Sequence, residues 1–220
     1  MTRTLIVGAS GGIGRALVHT LQSRGESVTA LSRSVDGLDV TDEQSIIDCL
    51  GRLDHAFDRI IVATGALASG GQGPEKTLKS LDPTAITTQF ALNATGPILV
   101  LKHALRLMPR DRRTVFAALS ARVGSIGDNR LGGWYSYRAS KAALNQLIHT
   151  VAIEVARSHR QAICVALHPG TVSTAFTENY RSHDAVSPER ATANLLRVMD
   201  GFSRTDTGGF FDWAGKQVAW

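Results

Sequence analysis

The chain is poor in cysteine and lacks long hydrophobic runs, which leaves little to build a thiolate metal centre, a disulfide scaffold or a membrane anchor. Its 220 residues include only two cysteines, Cys49 and Cys164, far apart and each inside an apolar pattern. No CxxC pair or Cys/His ligand spacing accompanies them, so they read as buried free thiols rather than a zinc site or a bridge. No stretch reaches the roughly 18 consecutive apolar residues of a membrane span. Nor does a charged leader with a long apolar segment precede Leu5-Ile-Val7, so the expectation is a soluble, unexported, cytoplasmic protein without a membrane partner. Charge of one sign is not clustered: the net +5 comes from scattered Lys and Arg. A nucleic-acid partner is therefore supported by net charge alone, and a diffuse positive field suits a polyanionic cofactor equally well. No Pro/Ser-rich linker, repeat or low-complexity tract divides the chain, which reads as one domain over residues 1–220.

Short β-branched runs alternate with longer amphipathic stretches, the pattern of a parallel sheet with crossover helices. Strands are expected at 4–7, 27–31, 38–40, 59–63, 114–119, 162–167 and 209–211, with helices at 12–24, 41–50, 83–107, 133–158 and 188–201. The fold expectation is a doubly wound, Rossmann-type α/β domain with a mostly parallel sheet of about seven strands.

The first expected strand runs into Gly8-Ala-Ser-Gly-Gly-Ile-Gly14, which opens the first helix. Gly8 permits a tight exit from the strand, Gly12 lets backbone approach a pyrophosphate, and Gly14 lets the helix pack on the sheet. Ser10 and Ile13 complete that turn as candidate cofactor contacts, and the helix aims its amino end at the phosphates. The second strand ends at Ser32-Arg33-Ser34, where an acidic residue for a ribose 2′-hydroxyl is missing. Arg33 can instead pair bidentately with a 2′-phosphate while Ser32 offers a hydroxyl, which favours NADP(H) over NAD(H). An exposed arginine solvating a loop is the other reading. Asp39 would accept from the adenine amino group and Val40 pack on the ring. A helix cap is the alternative for that stretch, a role Thr41 suits better.

Tyr137 and Lys141 stand four residues apart, which places phenol and ammonium on one helix face, one turn apart. A tyrosine with its usual pKa of about 10 exchanges protons poorly at neutral pH, and a nearby cation lowers that value. The chain carries two further signatures, Asn93-Ala-Thr-Gly96 and His168-Pro-Gly-Thr-Val-Ser-Thr174. With these four in this order, nearly the whole chain resembles the short-chain dehydrogenase/reductase family. The details Ser120-Ala-Arg-Val-Gly-Ser-Ile126 and Gly132-Gly-Trp-Tyr-Ser-Tyr137 look like its C-factor-like and sniffer-like carbonyl reductase branch.

The resemblance implies that Tyr137 is the general acid in reduction and the base in oxidation. Lys141 would hold the nicotinamide ribose and lower the tyrosine pKa. Asn93 would interrupt its helix and hold a relay water, or else bond locally to backbone. Pro169, Gly170, Val172 and Thr174 would line the nicotinamide, and Ala63 and Gly65 the adenine side. The family's paired serines read Ser120-Ala121 here, which puts alanine in the catalytic slot; Ser120, Ser125 or no serine remains to polarise the carbonyl. The short span after the second strand implies a deleted family helix. Loops 65–81, 121–134 and 174–187 would cover the substrate, the last with Phe176, Tyr180 and His183 as a candidate lid. Trp134 and Tyr135 fit a pocket wall or core packing, and His168 reads as structural. The implied activity is reversible carbonyl reduction on a small carbonyl or alcohol substrate, with an NADP(H)-binding sensor of little turnover as the alternative. The resemblance also implies a homodimer or homotetramer built on the two long helices.

Overall fold

The computed structural model describes residues 1–67, 73–180 and 185–220. Six strands, β1 (Arg3–Val7), β2 (Ser27–Leu31), β3 (Arg59–Val62), β4 (Thr114–Leu119), β5 (Ala162–His168) and β6 (Phe210–Asp212), form one sheet in the order β2-β1-β3-β4-β5-β6. Every pairing is parallel. Parallel strands need crossover helices, and these cover both faces here, which is why β3 and β4 are buried end to end and apolar beyond their first residues, Arg59 and Thr114. The helices are α1 (Gly12–Ser23), α2 (Arg33–Asp36), α3 (Glu43–Gly51), α4 (Pro83–Phe90), α5 (Gly96–Ala104), α6 (Tyr135–Ser158) and α7 (Pro188–Gly201).

Strand alternation sorts the core into two layers. Leu5, Phe116, Cys164 and Ala166 pack with Ile46 of α3, Val100 of α5 and Leu144 and Ile148 of α6. On the opposite face, Ile6, Ile61 and Val165 pack with Leu17 and Leu21 of α1 and Leu195 and Met199 of α7. The chain steps outward from β1 to β2 and then crosses back over β1 to β3, so the strand order reverses between β1 and β3, and the crevice beyond their carboxyl ends is where such a sheet binds ligands. No helix among the described residues is long and apolar enough to cross a membrane.

The expected strand at 38–40 does not form. Ser32 caps α2, and Gly37 ends it in the left-handed region at φ 74°. The chain then drops into the core at Leu38 and Val40, and the amide of Asp39 donates to Ser45 Oγ at 2.8 Å rather than to a strand. Too little chain separates β2 from this segment for a crossover. Thus β2 is left as a partly exposed sheet edge. Asp42, not Thr41, caps α3 through its contact with the Gln44 amide.

The long helix expected at 83–107 is continuous in path but changes character at Ala91–Thr95, a π-helical segment between α4 and α5. Such wider turns occur frequently at functional sites. Asn93 sits inside it.

Candidate active site

A cleft of about 390 Å³ opens at the carboxyl ends of β3, β4 and β5, with Tyr137 and Lys141 of α6 in one wall. Tyr137, Lys141 and Asn145 follow one another at four-residue spacing and are all buried, so a polar stripe runs along the inner face of α6. The Lys141 ammonium donates to the Leu119 carbonyl at 2.8 Å and lies 5.9 Å from the centroid of the Tyr137 ring. Burial pulls the lysine down to about 7 and pushes the Tyr137 phenol well above its usual value. The expected lowering of the tyrosine by its cation is therefore not met in the protein alone. Desolvation of the phenolate outweighs an ammonium that is itself half neutral near pH 7.

Asn93, fully buried, ties this wall to β3. Its side-chain oxygen accepts from the Ala66 amide at 2.9 Å, and its Nδ2 donates to the Ala66 carbonyl at 2.9 Å, to Ser140 Oγ at 3.2 Å and to Gln89 Oε1. Ser140 Oγ in turn donates to the Tyr137 carbonyl at 2.9 Å. The local-bonding alternative describes part of its role. The π segment turns the amide toward the β3 loop and α6 at once.

The two serine candidates separate. Ser120 lines the cleft, but its hydroxyl donates to Asn145 Oδ1 at 2.7 Å. Ser125 is outside the cleft lining, bonded to the Trp220 carbonyl at 3.5 Å and to the Asp128 amide at 3.1 Å. Ala121 occupies the cleft beside Ser120 with no polar side-chain atom.

At the nucleotide end, Gly8 takes φ 92°, a conformation closed to side chains without strain, and turns the chain out of β1. A Cβ at Gly14 would lie 2.2 Å from the Gly8 carbonyl oxygen, so what Gly14 packs on is the turn itself. A Cβ at Gly12 would meet Thr174 Cγ2 at 2.5 Å, so Gly12 admits the 169–177 loop as well as a ligand. The cap residue Gly11 supplies no side-chain acceptor, and the first turn of α1 carries no acidic residue. The amides of Gly12, Ile13 and Gly14 thus meet no acceptor among the described residues. Ile13 reaches the cleft, while Ser10 borders a second cavity with Arg15, His19 and Ser32.

Three nucleotide candidates already have partners within the chain. The Ser32 hydroxyl is committed to capping α2, accepting from the Val35 amide and donating to Asp36 Oδ2, each at 3.3 Å. Val40 is buried against Gly96 of α5, where a Cβ on the glycine would lie 2.7 Å from the Val40 carbonyl. Asp39 accepts from the amide and hydroxyl of Thr41, which hold its carboxyl below the usual range with Arg33 adding to the effect. Arg33 keeps 78% of its side chain exposed, with Asp39 3.8 Å away.

Ala63, Gly65, Pro169, Gly170, Val172 and Thr174 all line the cleft. The 169–177 loop is pinned by Thr177, whose hydroxyl donates to the Val172 carbonyl, and by backbone bonding between Ser173 and Val186 at 2.9 Å. Trp134 and Phe176 flank Tyr137, at ring centroid distances of 6.3 and 6.1 Å. Tyr135 is exposed instead. The Tyr180 side chain and His183 lie outside the described residues.

Two groups escaped sequence reasoning. Asn145 was findable as the third polar residue on the Tyr137–Lys141 face. Glu75 was not: it comes from a loop about sixty positions away, where it accepts from the Ser136 amide and hydroxyl at the start of α6. Its backbone carbonyl accepts from the Trp134 amide, and Trp134 holds φ 54°, an uncommon left-handed conformation for a bulky residue.

Comparison with known proteins matches this arrangement. A family model described as short chain dehydrogenase covers residues 2–185. The chain is 30% identical to 1-hydroxy-2-glutathionyl-2-methyl-3-butene dehydrogenase of Rhodococcus sp. (strain AD45), over 100% of both chains. It is 32% identical to C-signal of Myxococcus xanthus, over 69% of this chain and 89% of that one. Among solved structures, a short-chain dehydrogenase/reductase from Burkholderia multivorans with bound NADP matches with a TM-score of 0.82 at 25% identity, covering 100% of this chain and 99% of that one.

Proposed function

The chain belongs to the short-chain dehydrogenase/reductase family, and from that premise we propose that it is an NADP(H)-dependent enzyme interconverting a small carbonyl compound and its alcohol. The observation that carries this reading is the meeting of Tyr137, Lys141 and the 169–174 loop in one cleft beside the glycine turn. The residues present fit a dinucleotide. The leading amides of α1, which meet no acceptor among the described residues, suit a pyrophosphate, and the buried Thr64 Oγ1, without a partner among those residues, offers a polar contact at the nucleotide end. Asp36, the carboxylate nearest the end of β2, is turned back onto Ser32, which leaves Arg33 as the projecting charge at that edge. That supports NADP(H), as does the NADP held by the Burkholderia multivorans relative.

When bound, the nicotinamide supplies or accepts the hydride. Tyr137 gives its proton to the carbonyl oxygen in reduction and takes it back in oxidation. Lys141 holds the ribose and, charged by that contact, draws the phenol back toward a useful pKa. Asn93 holds the β3 loop against α6 and offers an anchor for a proton-relay water. The cleft's aromatic and aliphatic walls favour an apolar substrate. We read residues 1–220 as one such domain, pairing through α4, α5 and α6 into a dimer or tetramer; Leu147 is partly exposed on α6 while Leu144 and Ile148 are buried.

A sensor with little turnover is the second reading, favoured by one observation: Ser120 is spent on Asn145 and Ala121 carries no donor. NADPH consumption over a panel of aldehydes, ketones and quinones, with NADH in parallel and Tyr137→Phe as control, decides between them. Turnover lost in the Phe variant is the expected result; tight NADPH binding without turnover overturns the enzyme reading.

A further inference from the structure

A carbonyl reduced in this cleft develops negative charge on its oxygen, and one phenol is a thin environment for it. Removing one preorganised donor aimed at such an oxygen lowers kcat by about 10²–10³-fold. Resting on the proposed reductase activity, the question becomes which side chain supplies the second donor. Ser120 is engaged with Asn145, Ala121 has nothing to give, and Ser125 is bonded elsewhere. Thr64 Oγ1 has no partner among the described residues, but its methyl sits 2.9 Å from where a Gly8 Cβ would be, at the nucleotide end.

His168 is placed differently. It ends β5 one step beyond the Leu119–Leu167 pair, and the Ser120 amide donates to the Leu167 carbonyl at 2.7 Å, so His168 and Ser120 are cross-strand neighbours. Alternation puts it on the face of Cys164 and Ala166, which pack with Leu144 and Ile148 of α6. That is the face carrying Tyr137. The residue is half-buried and lines the cleft, while its Nδ1 is shut from solvent with no partner among the described residues. Leaving a buried polar atom unpaired forfeits its hydration without replacement, so a specific unpaired atom in an otherwise satisfied site points to a partner that arrives with the ligand.

We propose that His168 is a further catalytic residue, its imidazole N–H donating a hydrogen bond to the substrate carbonyl oxygen in the position that Ser120 and Ala121 leave without a donor. No bond to His168 forms or breaks: hydride goes to the carbonyl carbon, the proton comes from Tyr137, and the imidazole proton stays on its ring. Burial brings this histidine down to about 4, with Asp212 opposing and Arg122 adding to the shift, so at neutral pH the ring is neutral and keeps one N–H.

The test uses 4-nitrobenzaldehyde, which suits the aromatic wall, with the full-length protein and NADPH. His168→Phe keeps volume and removes the donor; kcat is expected to fall roughly 10²-fold with the NADPH Kd unchanged. Ala121→Ser in the His168→Phe background is expected to recover part of the loss. The infrared C=O band of aldehyde bound with NADP⁺ should move to higher frequency in His168→Phe. A kcat within twofold of wild type, or an unmoved band, overturns the proposal while leaving the reductase reading intact if Tyr137→Phe is inactive. Should His168→Phe fail to bind NADPH, the wild-type His168 ring ¹⁵N resonance decides. Movement on adding aldehyde to the NADP⁺ complex supports the contact and a fixed resonance refutes it. A wild type that reduces nothing on the panel removes both readings together.

Discussion

Helices α1 and α6 both begin without a side-chain cap of their own, and they resolve that deficit in opposite ways. Helix α1 starts after Gly11, with no acidic residue in its first turn and no acceptor for its leading amides among the described residues. Helix α6 starts after left-handed Trp134 and takes the remote carboxylate of Glu75 onto the Ser136 amide and hydroxyl. A helix amino end carries roughly half a positive charge in either case. Left open, it serves an anionic ligand; filled from within, it fixes the turn that presents Tyr137. One helix end is left open in the way an anion site requires, and the other is closed from within to hold Tyr137, the proposed proton donor, in place.

The sharpest way to separate the two is Tyr137→Phe. It should lower turnover by about 10²–10⁴-fold, the usual share of general acid–base catalysis, while NADPH titration stays at the wild-type Kd. Gly14→Ala attacks the other helix: its Cβ meets the Gly8 carbonyl at 2.2 Å, so thermal unfolding should show a loss of about 1–3 kcal/mol together with weakened NADPH binding. Gly51→Ala, in a helix with open space around it, is the control and should be neutral or slightly stabilising.

Lys141 gives a pH signature. Its folded pKa, about 7, lies below the ordinary value of 10.5, so between those limits the unfolded chain binds more protons. This group's contribution is complete above the unfolded value and is lost as pH falls through about 7. Without nucleotide, the stability difference between wild type and Lys141→Met should therefore grow from pH 7 toward 10, by at most about 1.4 kcal/mol per unit. Chemical denaturation across that range reads it, and a flat difference would refute the buried ammonium. The smallest effect is expected from Glu75→Gln, which keeps one acceptor; Glu75→Ala, which keeps none, should cost about 0.5–2 kcal/mol as a lost cap does. Both should lower kcat more than they weaken NADPH binding, because the defect is at α6 and not at α1.

Much of this architecture was legible because its signals are local. Apolar runs of strand length, a glycine turn joining strand to helix, and the four-residue spacing of Tyr137 and Lys141 each depend on residues close together in the chain. The same spacing carried one step further identifies Asn145. The sheet edge was harder. Leu38 and Val40 have strand-like composition, but with only α2 between them and β2 they are drawn under α5 instead of pairing. The Ser32 hydroxyl read as a ligand group because nothing in the sequence announces that Asp36 and Val35 will claim it.

The sequence by itself determined the doubly wound sheet, the glycine turn and the phenol–ammonium pair, since backbone conformation and helical or strand periodicity act over a few residues. Only the tertiary structure decided that Glu75 closes α6, that Asn145 occupies Ser120, that burial outweighs the neighbouring cation at the Tyr137 phenol, and that His168 lines the cleft with its Nδ1 unpaired among the described residues. Those outcomes depend on desolvation and on hydrogen bonds between segments far apart in sequence, which acquire their geometry only when β3, β4, β5 and α6 pack together.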